Sequence, residues 1–150
     1  MKLSNEVKFN YPREDIWKAL HDPEILKHAI PGCEGLTLQE DGSYDVSMSL
    51  GVAAVKGKYN GKVYMTDIEK PNKYLLEAEG SGSPGHVSMK MDCNLEETEE
   101  GCLLKWDCDA EIGGKIAGVG SRALGGIAKF MAKKFFDDIK KQLKKGAYTN

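Results

Sequence analysis

Polar and apolar residues alternate from Lys2 to Asn10, with Leu3, Asn5, Val7 and Phe9 on one side and Lys2, Ser4, Glu6 and Lys8 on the other. A side-chain period of two predicts a half-buried strand. The pattern changes at Pro12, a helix-start residue followed by Glu14 and Asp15, with Ile16, Ala19 and Leu20 on one side of the turn. A short helix follows from that arrangement. Asp22-Pro23 breaks it and starts a second short helix, Glu24 to His28, which Ile30-Pro31-Gly32 ends.

From Leu36 to Ile112 the alternation returns in the runs GLTLQ, SYDVSMSLG, VKGKYNGKVYMTDIE, KYLLEAEGSG, HVSMKMDCNLEE and CLLKWDCDAEI, separated by EDG, VAA, KPN, SPG and TEEG. Breaks this short, with Gly, Asp, Asn or Pro in them, predict antiparallel hairpins rather than crossovers through helices. Period two assigns one face to Tyr44, Val46, Met48 and Leu50; to Val55, Gly57, Tyr59, Gly61, Val63 and Met65; to Tyr74, Leu76 and Ala78; to Val87, Met89, Met91, Cys93 and Leu95; and to Leu104, Trp106, Cys108, Ala110 and Ile112. The other face carries Asp45, Lys58, Lys62, Glu77, Lys90, Asp92, Lys105, Asp107 and Glu111. One face is therefore wet and the other covered.

The cover is expected from Lys115 to Lys145, where Ile116, Val119, Ala123, Ile127, Phe130, Met131, Phe135, Ile139 and Leu143 recur at helical spacing. The prediction is one long amphipathic helix. Within it, Gly118, Gly120 and Ala123 fit the string G-x-G-x-x-G/A of dinucleotide-binding loops. That motif requires a parallel βαβ unit, and here the preceding strands read as antiparallel and no strand follows. The glycines need another cause, because each one inside a helix costs about 1 kcal/mol relative to alanine. Close approach to a curved sheet is one cause, and room left for a ligand between helix and sheet is another. An inner face rich in Met, Tyr and Trp suits either a filled core or an adaptable apolar pocket. The candidate ligand-binding residues are Met48, Leu50, Val55, Tyr59, Met89, Met91, Trp106 and Cys108 on the sheet, with Val119, Gly120, Ala123 and Ile127 on the helix.

A chain of 150 residues, 41% hydrophobic, holds one sizeable core, so residues 1–150 are read as a single domain. Its net charge of −2 offers no electrostatic footprint for nucleic acid. The start, MKLSNEVKFNYPRED, lacks the apolar stretch of a signal peptide, and no apolar run reaches membrane-spanning length. The expected location is cytoplasmic. Cys33, Cys93, Cys102 and Cys108 have no C-x-x-C spacing and are read as reduced core thiols.

The inner face offers Asn5, Tyr44, Tyr59, Tyr74, Trp106 and thiols but no carboxylate, lysine or histidine, which favours binding over catalysis. His21, His28 and His86 lack a ligand partner at metal-site spacing, and Glu96, Glu97, Glu99 and Glu100 read as a solvated turn, so no metal is expected. Lys129, Lys133, Lys134, Lys140, Lys141, Lys144 and Lys145 make the end of the last helix basic. They complement the helix dipole, and they also suit contact with anionic lipid or an acidic partner.

The order of elements, a strand, two short helices, a meander and a long C-terminal helix, resembles the helix-grip fold of the START/Bet v 1-like (SRPBCC) superfamily. That implies an α+β domain in which a curved antiparallel sheet of about seven strands grips the last helix around a hydrophobic cavity. More narrowly, IPGCEGL, GVAAVKGKYNGKV, GSGSPGHV and GGKIAGVGSRALGGIAKFMAKKFF are similar to segments of the carbon monoxide dehydrogenase CoxG family, over nearly the whole chain. The resemblance implies a non-catalytic accessory protein of molybdenum-dependent CO dehydrogenase-type systems that binds a hydrophobic small molecule, quinone- or isoprenoid-like, with no other cofactor. In the better-understood relatives this means a respiratory quinone and recruitment of the enzyme to the membrane through a C-terminal extension; this sequence ends at KKGAYTN. Peripheral contact with the inner membrane face is thus a further expectation. Two other readings share the architecture: an enzyme of the polyketide cyclase or dehydratase type using Tyr59, Tyr74 or Asn5, and a module that docks an oxidoreductase through SGSPGH and GVAAVKG.

Overall fold

The structure, a computed structural model, describes residues 1–146. Strand β1 (Lys2–Phe9) leads into α1 (Arg13–Leu20) and α2 (Pro23–Ala29), followed by β2 (Cys33–Leu38), β3 (Tyr44–Leu50), β4 (Gly57–Glu69), β5 (Lys73–Gly82), β6 (Gly85–Thr98), β7 (Gly101–Gly113) and α3 (Ser121–Lys144). Asp22 caps α2 by accepting from the Glu24 amide at 3.0 Å, with Pro23 at the first helical position, where a missing N–H costs nothing.

All strand pairs are antiparallel, in the order β1-β7-β6-β5-β4-β3-β2, so the first strand lies beside the last. The register keeps the expected inner face intact. Val46 pairs with Gly61, Val63 with Ala78, Leu76 with Met91, Met91 with Cys108 and Cys93 with Trp106, each an inward residue opposite another. Because the side-chain period is two, a slip of one residue anywhere would have put these chains in water. Close backbone approach occurs within the sheet, where a Cβ on Gly61 would run into the Glu79 carbonyl oxygen of β5.

The last segment differs from a continuous helix. Lys115–Val119 forms a 3-10 turn, and Gly120, at φ +96°, separates it from α3. A side chain at that φ is strained, so glycine there makes a corner. Gly118 and Gly120 therefore lie outside the helix.

The buried residues form two clusters. One joins α1, α2 and the second half of α3 to the sheet, through Phe9, Ile16, Leu20, Leu104, Trp106, Phe136, Ile139 and Leu143. The other joins Val55, Ile116 and Leu124, with Leu50, Val52, Val119 and Ile127 packed around them. Both bury apolar surface against the same inner face, at different places along it.

Candidate functional site

The predicted binding residues divide between the two clusters and the strip between them. Met91, Trp106 and Cys108 belong to the larger cluster, and Leu50, Val55, Val119 and Ile127 to the smaller. Met48, Tyr59 and Met89 are in neither cluster among the described residues. Trp106, Val55 and Tyr59 are buried, whereas Met48, Leu50, Met89, Met91, Cys108, Val119 and Ile127 are half-buried. Gly120 and Ala123 are exposed, at the corner and the first turn of α3, and are not brought together with the sheet residues.

Helical phase explains the last point. The buried positions of α3 are Leu124, Phe136, Ile139 and Leu143, which lie within about a third of a turn of one direction at 3.6 residues per turn. Ala123 and Phe130 project the other way. Phe130, expected to point inward, is 53% exposed, with the Lys134 ammonium 5.5 Å from its ring centroid. Leu124 and Phe136 were not singled out by the sequence pattern, although both lie in phase with Ile139 and Leu143.

α3 packs against α2, α1 and β1, toward the β1 side of the sheet. A Cβ on Gly125 would make ordinary contact with Leu3 Cδ2 at 3.7 Å and Met1 Sδ at 4.0 Å, and one on Gly126 would meet nothing within 4 Å. Neither glycine is needed for close backbone approach. On the side away from β1, the half-buried Ile127 and Met131 flank the exposed Phe130, and the inner face beside them is incompletely covered: Val63, Met65, Leu76, Ala78, Met89 and Met91 are all half-buried. The result is an open apolar groove between sheet and helix. Met65, Leu76 and Met131 join the candidate lining; period two places the first two on the inner face, and only the position of α3 leaves them uncovered.

The polar groups of this face are already engaged. Tyr59 donates from its hydroxyl to the Val55 carbonyl at 2.6 Å, and burial pushes its pKa up. The Tyr74 hydroxyl is fully buried beside Cys93, and its pKa is raised well above normal by that burial. Burial likewise pushes the Cys93 thiol up to about 12 and Cys102 to about 11. Asn5 is exposed on the edge strand, where its side-chain oxygen accepts from the Glu6 amide at 2.8 Å. His21 stacks on Trp17 at 4.3 Å and meets Tyr74 edge-on at 4.7 Å. Its Nδ1 donates to the Trp17 carbonyl at 2.8 Å, which leaves the buried Nε2 as an unpartnered acceptor, and burial lowers its pKa. All four cysteines are free thiols, and among the described residues no group of three or more His, Cys, Asp or Glu is placed to hold a metal. No described helix is long and apolar enough to cross a membrane. The two stretches considered for docking meet, with Pro84 of the β5–β6 turn packed over Gly57 at the start of β4.

A seven-stranded antiparallel sheet with two short helices after its first strand and a long C-terminal helix over its inner face is a helix-grip, Bet v 1-like fold. Ara h 8.0201 shares it at a TM-score of 0.70 with 14% identity, over 97% of this chain and 99% of that one. Protein CV1439 from Chromobacterium violaceum does so at 0.70 with 12% identity, over 93% and 94%. A conserved protein from Geobacillus kaustophilus is far more similar, with a TM-score of 0.89 and 39% identity over 96% of this chain and 94% of that one. The chain belongs to the carbon monoxide dehydrogenase CoxG family, which it matches over residues 6–144. No curated protein matches it. Family and fold together suggest a hydrophobic-ligand-binding accessory role. The antiparallel sheet also disposes of the dinucleotide-like string, whose glycines form a corner and a helix rather than a phosphate loop.

Proposed function

We propose that the protein is a non-catalytic carrier that holds a quinone- or isoprenoid-like molecule in the groove between the inner sheet face and the free side of α3. The observation that carries this reading is the division of the core into two clusters, with half-buried Val63, Ala78, Met89 and Met48 on the strip of sheet between them. Apolar surface left uncovered on the inner face loses about 25 cal/mol of stabilisation per Å², and an apolar ligand restores it. Methionines suit the task because their unbranched, polarisable chains adapt to a planar ring or a prenyl tail. Within this reading the ligand is delivered to, or taken from, a molybdenum-dependent CO dehydrogenase-type enzyme, in the cytoplasm or against the inner membrane face. The polyketide cyclase-type alternative draws no support from Tyr59, Tyr74 or Asn5, whose polar atoms are committed elsewhere or face solvent.

Native mass spectrometry of the purified full chain, before and after organic extraction, tests the proposal. A co-purified apolar molecule that extraction removes is expected, and Ala78→Phe, which fills the strip between Val63 and Met89, is expected to abolish it in a folded protein. An empty wild-type protein that also fails to take up an added prenylated benzoquinone would overturn it.

A further inference from the structure

Where β1 ends beside the last turns of α3, Lys8, Asn10 and Tyr11 face Lys140, Lys141 and Lys144 across a surface groove of about 370 Å³. Four lysines line it and no carboxylate does. The negative end of the helix accounts for lysines along its last turns. It does not account for Lys8, which comes from the polar side of a strand. Among the described residues the ion pairs engage Met1, Arg13, Lys73, Lys90, Lys105 and Lys133, and none uses a groove lysine. Lys140 instead lies over the Phe9 ring, its ammonium 5.4 Å from the centroid. Like charges gathered in this way repel one another, and a bound anion relieves the repulsion.

We propose that this groove binds a compact phosphate group, a phosphomonoester or diphosphate, on the lysine ammoniums, with the Asn10 carboxamide and Tyr11 hydroxyl as neutral donors. Phosphate fits better than carboxylate because ammoniums act as point charges toward a dianion with several acceptor oxygens; planar carboxylates are matched by arginine, and no arginine lines the groove. The neighbouring surface sets the size. Asn10 and Tyr11 also border a second groove that carries Glu97, Glu99 and Glu100. A long polyanion such as RNA laid over the lysines would run onto those carboxylates, whereas one phosphate group stops short of them.

The phosphate belongs either to a soluble molecule or to a lipid headgroup, and two probes separate these. Amide NMR of the full chain is followed during titration with sodium pyrophosphate at constant ionic strength, and flotation is measured with vesicles containing phosphatidic acid in phosphatidylcholine. Saturable shifts at Lys8, Asn10, Tyr11 and residues 140–144 support the site and a soluble ligand. Vesicle binding without pyrophosphate binding supports it as a headgroup site. In either case Lys8→Gln is expected to weaken binding about fivefold, the effect of one lysine beside an anionic surface. The exposed Lys58→Gln on β4 is the control, expected to change binding by less than about twofold. Failure of both probes to bind saturably, or an equal loss in Lys58→Gln, would overturn the proposal, and circular dichroism of each variant shows that the loss is not unfolding.

Discussion

Substituting the glycines of the segment from Gly118 to Gly126 one at a time should move stability in opposite directions. Gly126 has nothing within 4 Å of a built Cβ, and the Cβ of Gly125 would meet only side-chain atoms of Leu3 and Met1, at 3.7 and 4.0 Å. Gly125→Ala and Gly126→Ala should therefore each recover the helix propensity that glycine forfeits, about 1 kcal/mol. For a chain of this length 1 kcal/mol shifts the melting temperature by about 2 to 4 °C, so the double variant should melt about 4 to 8 °C higher. Gly120→Ala should do the reverse, because at φ +96° a side chain is strained, at a cost of about 1 to 3 kcal/mol. Thermal melts followed by circular dichroism, with urea titrations to convert them to free energies, measure all three. Destabilisation by Gly125→Ala or Gly126→Ala would show that α3 needs its glycines for close packing, and stabilisation by Gly120→Ala would remove the corner.

Tyr59→Phe leaves the Val55 carbonyl without its 2.6 Å partner, and should cost about 1 to 3 kcal/mol in urea unfolding. Leu104→Ala, at a fully buried position facing Val7 and Leu95, should cost about 2 to 5 kcal/mol by the same assay. His21 has a lowered pKa in the folded state, so the unfolded chain binds its proton first as pH falls below 6.5. Its contribution to stability is complete above that value and is lost toward the lower folded pKa; His21→Phe should flatten the change in urea midpoint between about pH 7.5 and about pH 5.5. A thiol reagent at mild alkaline pH should modify Cys33 and Cys108 well before Cys93 and Cys102, whose pKa values are held near about 12 and about 11, and all four should react together in denaturant.

The sheet was legible because its constraint is strict. Once Met89, Met91 and Cys93 are placed inward, pairing allows only Ala78, Leu76 and Tyr74 opposite them, and the structure has those pairs. The last helix was less legible because its apolar residues outnumber the buried positions. Phe130 satisfies the helical spacing yet faces solvent, and Leu124 and Phe136 take the inward places. Gly120 marks a corner through its backbone angle, which a spacing count does not register. The groove depends on where α3 sits across the sheet, a tertiary choice that no local pattern encodes, so Met65 and Leu76 read as core although they are half-buried. Lys8 belongs to the polar side of β1 by every sequence rule, and only the approach of α3 sets it beside Lys140 and Lys144.

A ligand held in the apolar groove must touch its methionines: of the six in the chain, Met48, Met65, Met89 and Met91 lie on the inner face and Met131 on the free side of α3. With ¹³C-methyl methionine in the full chain, titration with a benzoquinone carrying one isoprenoid unit reports on each of them separately. Met65, Met89, Met91 and Met131 are expected to shift together along one saturable curve. Methyl signals that stay in place, or that drift without saturation, would contradict ligand binding in the groove.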